Sequence, residues 1–276
     1  MKNQTAHESC HIIPLTAFRD NYIWLLRGDD RSGATVVDPG DAAPVLEYLK
    51  HERLTLSAIL VTHHHNDHIG GIAALRARYP GVPVFGPRDE AMNVVSVGLG
   101  EGEWVDLSQT GSAELRLEVL AVPGHTRGHL AYYDRNHRGC GALFCGDTLF
   151  SAGCGRLFEG TPTQMQSSLA RLRALPAETL VYCAHEYTEA NLRFAMAVEP
   201  DNEELANYAV RVAQLRAAGQ PTLPSTLALE CAINPFLRWD APAVQQAAAR
   251  FRGRLPANPG NAVEVFAAIR EWKDGF

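Results

Sequence analysis

The chain has 276 residues, 46% hydrophobic and 20% charged, with 23 Gly and 16 Pro spread along it; that is a globular composition of one large domain or a large domain with an appendage, and it excludes disordered, collagen-like and coiled-coil classes. Twenty-five Lys and Arg stand against 31 Asp and Glu, a net charge of −6, which counts against a sequence-independent hold on nucleic acid. The six cysteines form no C-x-x-C pair, the N-terminal segment contains no apolar run of signal-peptide length, and no stretch approaches the roughly 18 apolar residues of a membrane span, so a cytoplasmic monomer with neither membrane nor nucleic-acid partners is expected.

In chain order, short apolar runs with strand character are predicted at 11–17, 22–26, 34–37, 57–61, 83–85, 115–122, 130–133, 142–145 and 180–183. Helical spacing falls between them at 43–52, 69–79 and 163–175. After Glu186 the strand signal fades, and helices are expected at 189–198, 203–218, 243–252 and 262–272, broken by Pro200, the Gly219-Gln220-Pro221 turn, Pro235 and the loop at 256–260. The chain is mixed α/β with a helical C-terminal region; no internal repeat or low-complexity segment interrupts it.

The densest chemistry is Thr62-His63-His64-His65-Asn66-Asp67-His68, placed between an apolar strand and a helical pattern. On an extended segment residues i and i+2 share a face, so His63 and His65 converge while His64 points away. Asp67 and His68 follow where the chain turns into a helix, in position to serve a second ion beside the first. An internal position at a strand-to-helix junction with a carboxylate at a short offset is not what a surface His tract or a tag requires. Two ions need further donors, and three candidates also lie just beyond strands: His125 in Pro123-Gly124-His125-Thr126, Asp147 in Gly146-Asp147-Thr148, and His185 in Cys183-Ala184-His185. Each alone reads as a structural histidine or a turn former; the recurrence of one arrangement points to a metal site. His7, His11, His51 and His137 read as structural, and His129 as a brace for the loop carrying His125. Cys145, Cys154 and Cys183 have no metal-site spacing and read as small buried residues.

These residues resemble the metallo-β-lactamase superfamily: His-x-His-x-Asp-His at 63–68, Pro-Gly-His-Thr at 123–126, Gly-Asp-Thr at 146–148 and the late His185. Within it the chain is similar to the glyoxalase II, or hydroxyacylglutathione hydrolase, family from Asp20-Asn21-Tyr22 to Arg270-Glu271-Trp272-Lys273-Asp274, including Gly153-Cys154-Gly155-Arg156, His185-Glu186-Tyr187-Thr188 and Asn234-Pro235-Phe236-Leu237-Arg238. The resemblance implies an αβ/βα sandwich over residues 1–186, the metal-binding catalytic domain, and a helical glutathione-binding domain over 187–276. It implies one divalent ion on His63, His65 and His125, a second on Asp67, His68 and His185, and Asp147 with a water or hydroxide bridging them, with Asp67 and Asp147 as the catalytic carboxylates. Zinc is the first expectation for both ions, with iron or manganese as alternatives. Arg156, Tyr187, Arg270 and Lys273 are the implied glutathione contacts. Phe158 stands where the family often has Tyr, so a hydroxyl contact is missing there.

The activity so implied is hydrolysis of S-D-lactoylglutathione to glutathione and D-lactate, the second step of methylglyoxal detoxification, with a metal-bound hydroxide as nucleophile. A thiolate leaves readily, its free pKa being about 8.5, which explains why no dedicated general acid stands out. Other chemistries on the same fold are phosphodiester hydrolysis, disfavoured by the negative charge, and a single-iron dioxygenase acting on glutathione persulfide, which leaves Asp67, His68 and His185 without a full second-ion role. A non-catalytic metal-binding module is disfavoured because no ligand position is lost.

Overall fold

A computed structural model describes residues 10–29, 32–113, 115–253 and 261–276; His7 and the loop expected at 256–260 lie outside them. By compactness the chain groups into two units. The first takes the described residues through Ala121 together with Leu130–Phe144, and the second takes Val122–His129 together with Cys145–Phe276.

The first unit begins with β1 (Cys10–Ala17), β2 (Asn21–Gly28) and β3 (Gly33–Val37), paired antiparallel. Helix α1 (Ala42–Glu52) then returns the chain to β4 (Thr55–Leu60), and the short helices α2 (Asn66–Ile69) and α3 (Ile72–Arg78) lead to β5 (Val84–Pro87) and β6 (Val97–Leu99). From β3 onward each neighbour is parallel, and the sheet runs β1 through β6 in sequence order. Long return connections allow this, as parallel neighbours require: helical ones from β3 to β4 and from β4 to β5, and a nine-residue loop, 88–96, from β5 to β6. β2 and β3 are buried along nearly their whole length, as strands covered on both faces must be. On one face Val45 and Leu49 of α1 and Ile72 and Leu75 of α3 pack with Ile23, Leu25, Val36 and Ile59 in a single apolar cluster. Each such side chain contributes roughly 1.5–3 kcal/mol on burial.

The expected single helix at 69–79 is corrected to two, with the break at Gly70-Gly71. The backbone there presses onto the segment after β3: Gly71 N–H donates to the Pro39 carbonyl at 3.0 Å. A Cβ on Gly71 would lie 2.6 Å from backbone atoms of Pro39, Asp41 and Ala42, so glycine is what permits the contact.

A second sheet takes the next four strands in reverse sequence order. Its β7 (Trp104–Asp106), β8 (Arg116–Ala121), β9 (Leu130–Asp134) and β10 (Ala142–Gly146) form an antiparallel meander. Within the first unit the two sheets meet face to face. The Tyr132 hydroxyl of β9 donates to the Val61 carbonyl after β4 at 2.7 Å, Leu130 N–H donates to the Thr62 carbonyl at 2.9 Å, and the Thr35 and Ser112 hydroxyls lie 2.8 Å apart.

The second unit holds the two-residue strands β11 (Leu149–Phe150) and β12 (Gly153–Cys154), helix α4 (Pro162–Arg173), β13 (Leu180–Cys183), α5 (Thr188–Val198), α6 (Glu203–Ala217), β14 (Ser225–Thr226), α7 (Leu227–Ile233), α8 (Pro242–Arg252) and α9 (Ala262–Asp274). A reciprocal Thr161/Gln164 capping box and Pro162 set the start of α4. Leu192, Ala195, Leu205, Tyr208, Val212 and Ile233 form the core of the helical part. A buried polar pair from α7 and its end holds the β11–β12 hairpin. Asn234 donates to the Phe150 and Gly153 carbonyls at 3.0 and 2.9 Å, and Glu230 accepts from Ala152 N–H at 2.8 Å. Burial pushes the Glu230 carboxyl pKa up. Among the described residues no helix is long and apolar enough to cross a membrane.

Candidate metal centre

In the first unit, the chain leaving β4 carries His63, His64 and His65, the last with extended backbone, and α2 carries Asp67 and His68. His63 is fully buried; its Nε2 lies 3.0 Å from Nδ1 of His65, and its ring centroid is 4.1 Å from that of His68. His68 Nε2 is 3.6 Å from Asp67 Oδ2. In the second unit, His125 follows Val122, Asp147 follows β10 and His185 follows β13. The two oxygens of Asp147 lie 3.4 Å from His125 Nε2 and 3.4 Å from His185 Nε2, one each.

The donor chemistry of each set fits divalent cations. Two imidazole nitrogens aimed at one another need a proton or a cation between them. Donors about 2.1 Å from a tetrahedral ion are separated by about 3.4 Å, longer than an ordinary hydrogen bond. The ring nitrogens on the far side are held as metal-ligating histidines require. His63 Nδ1 is 3.0 Å from the Thr62 hydroxyl, His68 Nδ1 is 3.1 Å from Asp38, and His125 Nδ1 donates to the Arg156 carbonyl at 2.9 Å.

Four supporting residues are not singled out for this role by the sequence reading. Asp38 sits in the left-handed region at φ 53°. Its carboxylate accepts from Thr62 N–H at 2.8 Å and from the Thr62 hydroxyl at 2.7 Å, fixing the start of the histidine loop. Asp38 is also a strand-end acid, directly after β3, so the positional argument used for the other donors would have found it. Asn21 donates to Asp67 Oδ2 at 3.1 Å. Glu90 accepts from His64, and the Arg156 carbonyl supports His125; nothing in the sequence pattern marks either. His129, read as a brace for the His125 loop, accepts from Val122 N–H at the start of that loop at 2.8 Å through its carbonyl, and from Asp147 N–H at 3.1 Å through Nε2, with Nδ1 3.3 Å from the Thr148 hydroxyl. It therefore holds the Asp147 turn.

The five predicted substrate residues share one cavity of about 390 Å³ with His125 and Asp147, also lined by Phe150 and Cys154. Arg156 is largely exposed. Arg270 is buried in the wall, donating to the Cys154 carbonyl and to Asp274, each at 2.9 Å; its Nε has no hydrogen-bond partner among the described residues. Lys273 lies with its ammonium 5.0 Å from the Phe194 ring, and burial, reinforced by the charges of Arg270, Arg193 and Arg156, lowers its pKa to about 8. Tyr187 stacks on His185 at 4.6 Å. The exposed Phe158 ring stands edge-on to His125 at 5.2 Å. Burial raises the Cys154 thiol to about 11 and Cys145 and Cys183 higher still, so these thiols are inert apolar residues.

The metallo-β-lactamase superfamily model matches residues 17–185, and the model described as hydroxyacylglutathione hydrolase C-terminus matches 186–276. Among solved structures, ETHE1 from Myxococcus xanthus is 26% identical, with 93% of this chain and 90% of that one covered and a TM-score of 0.61. TTHA1623 in a di-iron-bound form is also 26% identical, covering 82% of this chain and 100% of that one with a TM-score of 0.56. The fold is thus that of the metallo-β-lactamases, a divalent-metal-binding class. A hydroxyacylglutathione hydrolase of Vibrio parahaemolyticus is 52% identical over 263 residues, 95% of this chain and 98% of the relative. This chain belongs to the hydroxyacylglutathione hydrolase family.

Proposed function

We propose that the protein hydrolyses S-2-hydroxyacylglutathione thioesters, S-D-lactoylglutathione foremost, to glutathione and the 2-hydroxy acid, here D-lactate. The observation that carries this reading is a cavity in which metal donors, His125 and Asp147, share walls with Arg156, Arg270 and Lys273. Glutathione brings two carboxylates, and a protein of net charge −6 must concentrate cations locally to hold them.

In this reading His63, His65 and His125 would hold one divalent ion, Asp67, His68 and His185 would hold the other, and Asp147 would serve both, as the resemblance implies. Such ions, zinc first and iron or manganese as alternatives, supply acidified water as the nucleophile and a Lewis acid for the carbonyl oxygen. The chain's own groups do the rest. Asp67 and Asp147 are the catalytic carboxylates, the first oriented by Asn21 and the second by the His129 contact to its backbone. Arg156, Arg270 and Lys273 anchor the glutathione carboxylates, the unpartnered Arg270 Nε being a donor still to be satisfied. Tyr187 and Phe158 cover the peptide; Phe158 supplies apolar contact and no hydroxyl. The leaving thiolate needs no proton donor.

The reading places the metal chemistry in residues 1–186 and much of the glutathione recognition in the helical residues 187–276. It also places the protein in the cytoplasm as a monomer acting on a small molecule, which its six free cysteines and acidic charge support. Phosphodiester and persulfide substrates are not favoured, since relatives matching nearly end to end are named hydroxyacylglutathione hydrolases.

The test is hydrolysis of S-D-lactoylglutathione by the purified protein, followed as loss of thioester absorbance, before and after chelation and with zinc, iron or manganese restored. Turnover that chelation abolishes and one of these metals restores is the expected result. Absence of turnover in every metal form overturns the reading.

A further inference from the structure

We infer that Glu90 is a positioning residue of the metal centre: by holding His64 at two points it fixes the segment that presents His63 and His65. The inference rests on the metal-centre reading above. β4 and β5 are parallel neighbours, so the chain leaving each emerges at the same edge of the sheet. Val61 N–H still pairs with the Phe85 carbonyl at 2.8 Å just before the two segments diverge. Three residues past β5, Glu90 turns inward and its Oε2 accepts from both His64 N–H, at 2.7 Å, and His64 Nδ1, at 2.8 Å. The Glu90 side chain is 4% exposed, that of His64 34%.

A carboxylate is seldom buried without a specific partner. Here two contacts go to one residue, the one non-donor histidine of the run. Gripping the main chain and the ring of residue 64 together holds the backbone from which both neighbouring imidazoles project, their rings lying 6.5 Å (His63) and 5.0 Å (His65) from its own. Those imidazoles meet at 3.0 Å, a separation that a rotation of the segment would lose.

The test uses the full-length protein with Glu90→Ala, Glu90→Gln and His64→Ala, reading zinc affinity by competition with a chromophoric chelator and thermal melting of the metal-free forms. Removal of a group supporting a metal ligand typically costs 10–100-fold in affinity, and Glu90→Ala is expected in that range. Glu90→Gln, which keeps an acceptor for His64 N–H, and His64→Ala, which keeps the main-chain contact, should lose less. Metal-free Glu90→Gln should melt with the wild type. Wild-type zinc affinity in both Glu90 variants overturns the inference, as does a metal-free Glu90→Gln whose stability falls in step with its affinity. A wild-type protein that takes up no zinc, iron or manganese overturns the metal-centre reading itself, a separate result.

Discussion

Lys273 makes the sharpest case at the scale of one residue. Its ammonium is half-buried among three arginines and titrates near pH 8, so it is cationic below that pH and neutral above it. A glutathione carboxylate held by the cation is therefore gripped below about pH 8 and released as the pH rises through it. KM for S-D-lactoylglutathione should climb between about pH 7.5 and 9 in the wild type. Lys273→Ala should show a KM about tenfold higher at pH 7, the worth of one charged hydrogen bond, with kcat little changed and the climb flattened. A variant with normal KM and lost kcat overturns this role. The residues proposed to hold the metals were visible in the chain because each follows an apolar strand by a few positions, a local signal. Asn21 and Glu90 were not, because their partners are set by strand pairing: Asn21 lies 46 positions from Asp67 and Glu90 lies 26 from His64, and no periodicity records such a distance.

At the scale of elements, the close docking of α2 on the turn after β3 carries the risk. A Cβ on Gly40 would stand 1.8 Å from the Asp67 carbonyl oxygen and 3.0 Å from the Phe18 ring, and the backbone oxygen cannot swing aside as a side-chain tip would. Gly40→Ala should cost about 3 kcal/mol in urea unfolding and also reduce bound metal, because the helix that must move carries Asp67 and His68. Unchanged stability and metal content in this variant would show that the turn relaxes freely. The long helices and inner strands were legible from apolar spacing, whereas β6, β7, β11, β12 and β14, of two or three residues each, are too short to establish a period. The same holds for α7, a single seven-residue helix capped by Thr226. The split of the expected helix at 69–79 follows from Gly70 and Gly71, whose need for close backbone approach only the folded arrangement reveals.

For the molecule as a whole, ions that bind the folded chain and not the unfolded one must stabilise it by mass action. Loading at about a thousand times Kd is worth about 4 kcal/mol, so chelation should lower the melting temperature by several degrees and metal should restore it. Asp147→Ala should lose most of that shift. A melting temperature indifferent to chelation would mean that the donors hold no ion in the folded protein. That the molecule is globular was legible from its composition before any motif was found. Recognition of glutathione was legible only through resemblance, since two cations at the end of α9 equally suit the helix dipole and nothing local distinguishes the two roles.

Arg156 joins two duties in one residue by different routes: its side chain faces the cavity, while its carbonyl orients His125. Every amino acid has a carbonyl. If the side chain of Arg156 grips the substrate as proposed, mutational drift at position 156 can change which molecule is accepted while the carbonyl that supports His125 stays, so selection can change the customer while leaving the machinery in place.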